Sequence, residues 1–587
     1  MRWLVKNFKG IQSAEVDIGV GKTTILTGIN SSGKSSVIQS LLLLAQSLHS
    51  EGPLVLNGPL VRLGEADDLV RDESDEAFIT YSVDLEAVRN EEILHGRKLS
   101  ATFHLAPTQD GSTLRPTHIE VTPANNPGEP VVLEYAHSRT GDRNRALELL
   151  GGLGGVDALR IKSMIDGTPG LQRAYVILQG LRPIGVIQFK QPDAIGDMYE
   201  KSVRTIFDSR QLAASKKSSD TSTSRVAGVA LINEFVRHVF RNAQQSGDQE
   251  LITLLEDAGA SRGSISPHLF DRMWARISEE TRYQLVHAAG EERKRRDFIF
   301  LPVRGSIWGY GSLAEGLLEG LLEVSLGDTY NALRAVENTL DNLADRVQYL
   351  GPLRDEPRVV WNHWNELAKG LPVGTRGEYS AAVLSRARTT TIEFRMSNGD
   401  PQIAPLDTAV DHWLAYLDIG DTVTARSHGK LGVGLDLFVS GRKRDLTSVG
   451  VGVSQALPLI VGVLAAPRDS IFIIEQPELH LHPAVQARLA DFLLTARPDV
   501  CTIIETHSDA FVTRMRRRVA EGQVDPAAVD IIFVEPTDQG SSARVLTVSE
   551  FGDLDEWPKG FLSSTEEDVR AMMLANISRA TGAKVEG

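Results

Sequence analysis

Residues 28–35 read Gly-Ile-Asn-Ser-Ser-Gly-Lys-Ser, the spacing G-x-x-x-x-G-K-S, between a short β-branched run at 23–27 and an apolar run at 36–49. This stretch constrains the fold: a buried strand must end in a tight loop, and a helix must aim its first turn at whatever the loop encloses. The two glycines let backbone wrap a phosphate, and the N–H groups from Asn30 through Ser31, Ser32 and Gly33 to Ser36 point inward. Lys34 would reach the β- and γ-phosphates, and the Ser35 hydroxyl would ligate Mg²⁺. A nucleoside triphosphate with Mg²⁺ is the expected ligand.

The frame around the loop is that of a large globular chain. With 587 residues, 42% of them apolar, it can bury a core over two to four domains or lobes. A net charge of −15 argues against coating nucleic acid through the overall field, so any such contact must be local. The single cysteine, Cys501, stands in the apolar run 500–504 and reads as a buried, inert thiol. The first ten residues carry no apolar signal core, and no apolar run reaches transmembrane length, so a cytoplasmic protein without a membrane partner is expected.

Along the chain, residues 77–85, 98–105, 118–122 and 130–135 alternate or cluster β-formers between Gly, Pro and Asn, which predicts an antiparallel patch closing a first lobe over 1–143. From 144 to 342 the pattern reads as an inserted, mainly helical module. Helices are expected at 226–243 and 313–341, with a polar loop at 213–224. Strand-and-helix alternation then resumes over 343–550, ahead of a tail at 551–587. The fold class is α/β.

The run 470–483, SIFIIEQPELHLHP, holds four consecutive apolar residues, 471–474, as a buried parallel strand does. Glu475 at its carboxyl end lies where open α/β sheets bind ligands, near the Mg²⁺, and Gln476 occupies the position where a general base normally polarises water. A further buried strand at 502–505 leads to His507, which is placed to contact or sense a γ-phosphate.

Together NFKGI at 7–11, TGINSSGKSS at 27–36, YLGPLRDEP at 349–357, SVGVGVSQALP at 448–458, IIEQPELHLHP at 473–483 and IETHSD at 504–509 resemble the OLD-like branch of ABC-class P-loop ATPases. These are similar to the heads of SMC and break-repair ATPases without the long coiled coil. GDLDEWPKGF at 552–561 resembles a short carboxyl-terminal domain of one subgroup. The resemblance implies an ATPase head with a mixed sheet and an antiparallel lobe, which sandwiches ATP between two subunits in a homodimer or higher even oligomer. It implies a signature segment made by Gly450, Gly452, Ser454 and Gln455, with Ser454 capping the following helix. Relatives of this kind resemble ATPase subunits of bacterial anti-phage systems, in which a separate effector, such as a nuclease, supplies the toxic activity.

Departures from the pattern shape the expectation. Such heads end this strand in Asp then Glu, whereas here the pair is Glu475 and Gln476, and an amide accepts no proton at neutral pH. Either turnover is slow, which we favour, or Glu478 or His507 supplies the base. Arg354 is read as a phosphate or partner-subunit donor or as a surface ion pair with Asp355 or Glu356, and His480 and His482 as loop residues rather than a metal pair. Of three basic clusters, at 293–296, 442–444 and 514–518, the last is the best candidate for DNA backbone contact. No D-x-D in a strand context follows Glu535, so no intrinsic nuclease is expected. The favoured expectation is a defence switch; the alternative is an SMC-like repair or chromosome-maintenance ATPase that clamps DNA.

Overall fold

The computed structural model describes residues 1–50, 52–71, 76–85, 99–123, 130–134, 141–149, 156–163, 173–190, 297–303, 326–361, 373–538 and 540–558, with single positions between 244 and 280 and Met572 and Met573. In chain order the elements begin with β1 (Arg2–Phe8), β2 (Ile11–Asp17), β3 (Thr23–Gly28), α1 (Lys34–Leu48), β4 (Ile79–Leu85) and β5 (Leu99–Pro107). Next come β6 (Leu114–Pro123), β7 (Val131–Glu134), α2 (Asp142–Leu149), β8 (Val156–Ser163), β9 (Ala174–Gln179), β10 (Arg182–Phe189) and β11 (Phe298–Pro302). The chain continues through α3 (Asp328–Arg346), β12 (Val347–Leu350), α4 (Ser380–Ala387), β13 (Thr391–Arg395), β14 (Pro401–Pro405) and α5 (Leu406–Leu417). It ends with β15 (Thr422–Ser427), β16 (Val433–Val439), β17 (Arg442–Asp445), α6 (Val451–Ala465), β18 (Ile471–Glu475), α7 (Pro483–Thr495), β19 (Cys501–Glu505), α8 (Asp509–Ala520), β20 (Val529–Thr537) and β21 (Gly540–Leu546).

The chain divides into two compact units, one made of residues 1–84, 102–115 and 340–587, the other of 85–101 and 116–339. In the first, the strands lie in the order β5-β4-β1-β2-β21-β20-β3-β19-β18-β12. Its centre is parallel: β20, β3, β19, β18 and β12 all run the same way. Strands β3, β18 and β19 are buried almost throughout, which is why they read as continuous apolar or β-branched runs rather than alternating ones. Towards β4 the sheet turns antiparallel and alternates, as β4 itself does.

Helices α5, α6, α7 and α8 cover this parallel centre with one core that includes Trp413, Phe472, Phe492 and Phe511. The Trp413 ring meets Phe492 edge-on at 5.1 Å. Arg497, almost fully buried, donates to the Leu464 carbonyl at 2.6 Å and the Ala466 carbonyl at 2.9 Å and pairs with Asp499. It thereby satisfies the carbonyls at the end of α6. Cys501 is fully buried, and burial pushes its thiol up to about 12.

In the second unit the strands follow the order β11-β10-β9-β8-β7-β6, with antiparallel pairing from β6 to β11. Several of these strands fall in the inserted stretch expected to be mainly helical from 144, most of which lies outside the described residues. Residues 156–163, 174–179, 182–189 and 298–302 are strands, and the second unit also takes in residues 85–101 and 116–143. The reason is legible afterwards: AYVILQ and RPIGVIQF are short apolar runs either side of a Gly-Leu turn, and tight antiparallel pairing decides an ambiguity that periodicity leaves open. Within 313–341 the described part is α3; the helix expected at 226–243, the loop at 213–224 and most of the tail lie outside the described residues.

Gly28 closes β3 with φ +142°, and a Cβ there would lie 2.2 Å from the Val534 carbonyl oxygen of β20. Gly28→Ala is expected to destabilise the nucleotide-free protein by about 2–5 kcal/mol, combining backbone strain with overpacking, as read from denaturant unfolding.

Candidate functional site

Three segments meet at the carboxyl ends of neighbouring parallel strands, the edge at which open α/β sheets bind ligands. The phosphate loop leaves β3, the Glu475 turn leaves β18, and the Glu505 segment leaves β19, which lies between them. The register sets Leu26 beside Glu505 and Glu505 beside Glu475.

The loop itself is shaped by left-handed backbone at Ser31 (φ +63°) and Gly33 (φ +97°). Helix α1 starts at Lys34, two residues earlier than its apolar run suggests, with no side-chain cap and no acidic residue in its first turn. Its N-terminus is therefore a site for an anion. Lys34, only 4% exposed, donates to the Gly28 carbonyl at 3.1 Å and the Ile29 carbonyl at 2.6 Å. A cavity of about 430 Å³ opens over the loop, within the usual size of small-molecule sites. Asn30 to Ser36 line it together with Gln476, Glu505 and His507.

Ser35 faces Glu505, not Glu475: its Oγ donates at 3.1 Å to both carboxylate oxygens. Glu505, 2% exposed, is pushed up to about 7 by burial and then by the Glu475 carboxylate, against the Ser35 hydroxyl and the Lys34 ammonium. Glu475 is turned to another partner, with its Oε1 accepting from the Tyr349 hydroxyl at 2.8 Å. Burial raises its carboxyl above the usual range, and Tyr349 and Arg354 oppose that shift.

Gln476 takes a left-handed turn (φ +44°) and its N–H donates to the Glu505 carbonyl at 2.8 Å, which brings its side chain to the cavity wall. Glu478 is not in that wall. Its Oε1 accepts from the His507 backbone N–H at 2.7 Å, so the residue offered as an alternative base is engaged beside the cavity rather than in its wall. Partial desolvation and the Lys34 ammonium hold the exposed His507 imidazole below its usual range, which favours the neutral form at pH 7. His482 caps α7, its Nδ1 accepting from the Ala484 N–H at 3.2 Å, and His480 has left-handed backbone (φ +61°). Among the described residues no group of three metal-ligating side chains forms.

The signature residues sit elsewhere. Gly450 is the N-cap of α6 and has open space around it, while Gly452 approaches the His480 carbonyl. Ser454 is not a cap: it lies inside α6, where its Oγ donates to the Val451 carbonyl at 2.7 Å. Neither these residues nor Gln455 line the cavity.

Arg354 is no surface ion pair. It is 5% exposed, its Nη2 donates to the Glu475 carbonyl at 3.2 Å, and its Nε and Nη1 are buried without a protein partner. Burial brings it down to about 10 and it stays charged, facing Tyr349, Glu475 and Glu478.

The basic cluster on α8 is also differently engaged than expected. Arg514 and Arg518 pair with buried Asp491 at 3.3 and 2.5 Å, and Arg517 pairs with Glu521 at 2.6 Å. Arg516 donates to the Gly552 carbonyl at 2.7 Å and lies 4.9 Å from the Trp557 ring centre. Arg514 and Arg518 hold α8 to α7 and Arg516 holds it to the GDLDEWP turn, while exposed Arg517 pairs with Glu521 at the end of its own helix. Residues 442–444 are exposed on β17, with Lys443 paired to Asp436 at 2.7 Å, and 293–296 lie outside the described residues.

The cavity-facing role of Glu505 was not anticipated, although the strand-end rule that selects Glu475 selects it equally. Residues 333–513 match the family model described as "AAA domain, putative AbiEii toxin, Type IV TA system". The chain thus carries an AAA-family ATPase domain, and its fold is the mixed α/β sheet of a P-loop ATPase head. Among solved structures it is similar to the Smc head domain with an extended coiled coil bound to the C-terminal domain of ScpA from Pyrococcus furiosus. That match has 13% identity and a TM-score of 0.32, and covers 97% of this chain and 98% of that one. A SmcHead bound to the C-winged helix domain of ScpA matches at 11% identity and a TM-score of 0.33, covering 94% and 98%. Comparison with curated proteins finds no match. No helix among the described residues is long and apolar enough to cross a membrane.

The raised Glu505 carboxyl has a consequence for stability. Below about pH 4.5 it is protonated in folded and unfolded chains alike; between about 4.5 and 7 the unfolded chain loses the proton first, and stability falls. Glu505→Gln is expected to raise the melting temperature of the nucleotide-free protein at pH 8, from a free-energy difference of up to about 3 kcal/mol, with the gain shrinking to zero towards pH 4.5.

Proposed function

We propose that the protein is an ATPase that binds ATP with Mg²⁺ at the phosphate loop, turns it over slowly, and acts as a dimerising switch controlling a separate effector in prokaryotic anti-phage defence. One observation carries the reading: a cavity walled by an open helix N-terminus, Lys34 and Ser35 presents a glutamine at the place of the base. The donor set fits a triphosphate, because the loop offers backbone N–H groups, an ammonium and a hydroxyl in one concave wall. Mg²⁺, when bound, neutralises charge on the phosphates.

The chain's own residues then divide the work. Lys34 exchanges its two loop carbonyls for phosphate oxygens, which is a stronger, charge-assisted contact. Neutral His507, fixed through its N–H by Glu478, offers a ring nitrogen to the cavity. Gln476 can orient a water by hydrogen bonds but cannot take its proton. A barrier higher by about 3 kcal/mol for want of that base slows turnover roughly a hundredfold, which suits a switch.

Dimerisation is supported by α6. Its N-terminus carries Gly450 without a side-chain cap, next to exposed Val451, and does not line the chain's own cavity. An uncapped helix end of this kind can complete a second copy's nucleotide site. The two-component defence reading is supported by the sequence motifs and by the toxin–antitoxin description of the matching family model. For the DNA-clamp alternative the α8 cluster offers little, since Arg514, Arg516 and Arg518 are engaged within the protein and only Arg517 is largely exposed.

The test is the mass of the protein in solution without nucleotide, with ATP and Mg²⁺, and with Lys34→Ala, together with phosphate release. Assembly that requires both ATP and Lys34, with phosphate appearing slowly, is expected; Lys34→Ala should weaken ATP binding by about 10- to 100-fold. Constitutive assembly with turnover of roughly tens per second would overturn the switch.

A further inference from the structure

We propose that Glu505, together with Ser35, is the protein's ligand pair for the divalent cation that accompanies ATP, in place of Glu475 on the neighbouring strand. The inference rests on the nucleotide reading above and assigns its cation. Glu505 is the one carboxylate among the residues lining the cavity. Both its oxygens lie 3.1 Å from the Ser35 Oγ, the atom that a phosphate loop turns towards its metal. Its backbone is fixed on two sides: the carbonyl accepts from Gln476, and β19 is paired with both β3 and β18.

The other two candidates do not line the cavity, and each has an oxygen engaged elsewhere. The Glu475 carboxylate is held by the Tyr349 hydroxyl, and Glu478 by the His507 N–H. One hydroxyl and one carboxylate are what Mg²⁺ asks of a protein, because it keeps several waters and takes its remaining ligands from phosphate oxygens. In the resting state the Ser35–Glu505 hydrogen bond holds the two ligands together; the cation enters by replacing that hydrogen bond with two oxygen contacts.

The experiment measures binding of ATP carrying a fluorescent label on the ribose, in EDTA and in Mg²⁺, for the wild type, Glu505→Gln, Glu475→Gln and Lys34→Ala. Glutamine keeps an acceptor for Ser35 and loses the charge, so Glu505→Gln should bind metal-free ATP at least as tightly as the wild type. Its gain from Mg²⁺ should fall by about 10- to 100-fold, while Glu475→Gln keeps the gain. With Mn²⁺ in place of Mg²⁺, electron paramagnetic resonance should show the immobilised ion of the wild-type ATP complex and its loss in Glu505→Gln. A full Mg²⁺ gain in Glu505→Gln, or loss of the gain in Glu475→Gln alone, overturns the assignment. Where Glu505→Gln does not fold, Glu505→Asp serves, because it withdraws the charge by one methylene; a reduced gain supports the proposal and an undiminished one overturns it. Failure of the nucleotide reading itself shows differently, as wild-type protein that binds no ATP in either buffer or binds it regardless of Lys34.

Discussion

The site depends on the close approach of β3 to β20. Gly28 must pass the Val534 carbonyl at a distance that no side chain permits, and only then does the chain turn into the phosphate loop. That approach belongs to a parallel block in which β3 pairs with β20 on one side and β19 on the other. Parallel pairing puts all the carboxyl ends on one edge, so residues 470 positions apart in sequence, Ser35 and Glu505, become hydrogen-bonded neighbours.

The resulting site concentrates negative charge in a place poorly suited to it. Glu475, Glu478 and Glu505 are all raised above the ordinary carboxylate range, first by burial in each case. Each has been given a separate donor: Tyr349, the His507 N–H and Ser35. Arg354 supplies the compensating charge beneath two of them while leaving Nε and Nη1 without protein acceptors. Three buried carboxylates raised in this way cost the fold stability, as functional sites commonly do.

Much of this was legible in the sequence because the signals were local. The phosphate loop, the two apolar strands ending at Glu475 and Glu505, and the alternating strands up to residue 134 each announce themselves within ten residues. What escaped was decided by partners distant in the chain. β9 and β10 read as either helix or strand until the turn between them pairs them. The α8 arginines read as a basic face until Asp491, buried on α7, claims Arg514 and Arg518. Ser454 has the composition of a helix cap, yet the helix starts three residues earlier at Val451, because Gly450 provides the extended N-cap backbone there. The direction each carboxylate faces was invisible for the same reason: it follows from Tyr349 and His507, not from the order E-Q-P-E.

The cavity wall opposite the loop behaves as one piece, and this follows from a closed set of hydrogen bonds. The Gln486 amide, on α7, donates to the Leu481 carbonyl at 2.9 Å, while its oxygen accepts from the Ser508 hydroxyl at 2.6 Å. Ser508 in turn caps α8 by accepting from the Phe511 N–H, and its neighbour His507 is fixed to Glu478. The turn after β18 and the start of α8 are therefore tied twice, once through Glu478 and once through Gln486. Gln476 and His507 stand on these two segments, so neither can shift against the cavity without straining the other's support. A Cβ at Gly452 would lie 3.2 Å from the carbonyl of His480 in that same turn, so the start of α6 passes close beside the segment that follows Gln476 and Glu478. That close passage sets Gly450 and Gly452 beside a segment of the cavity wall although neither glycine lines the cavity.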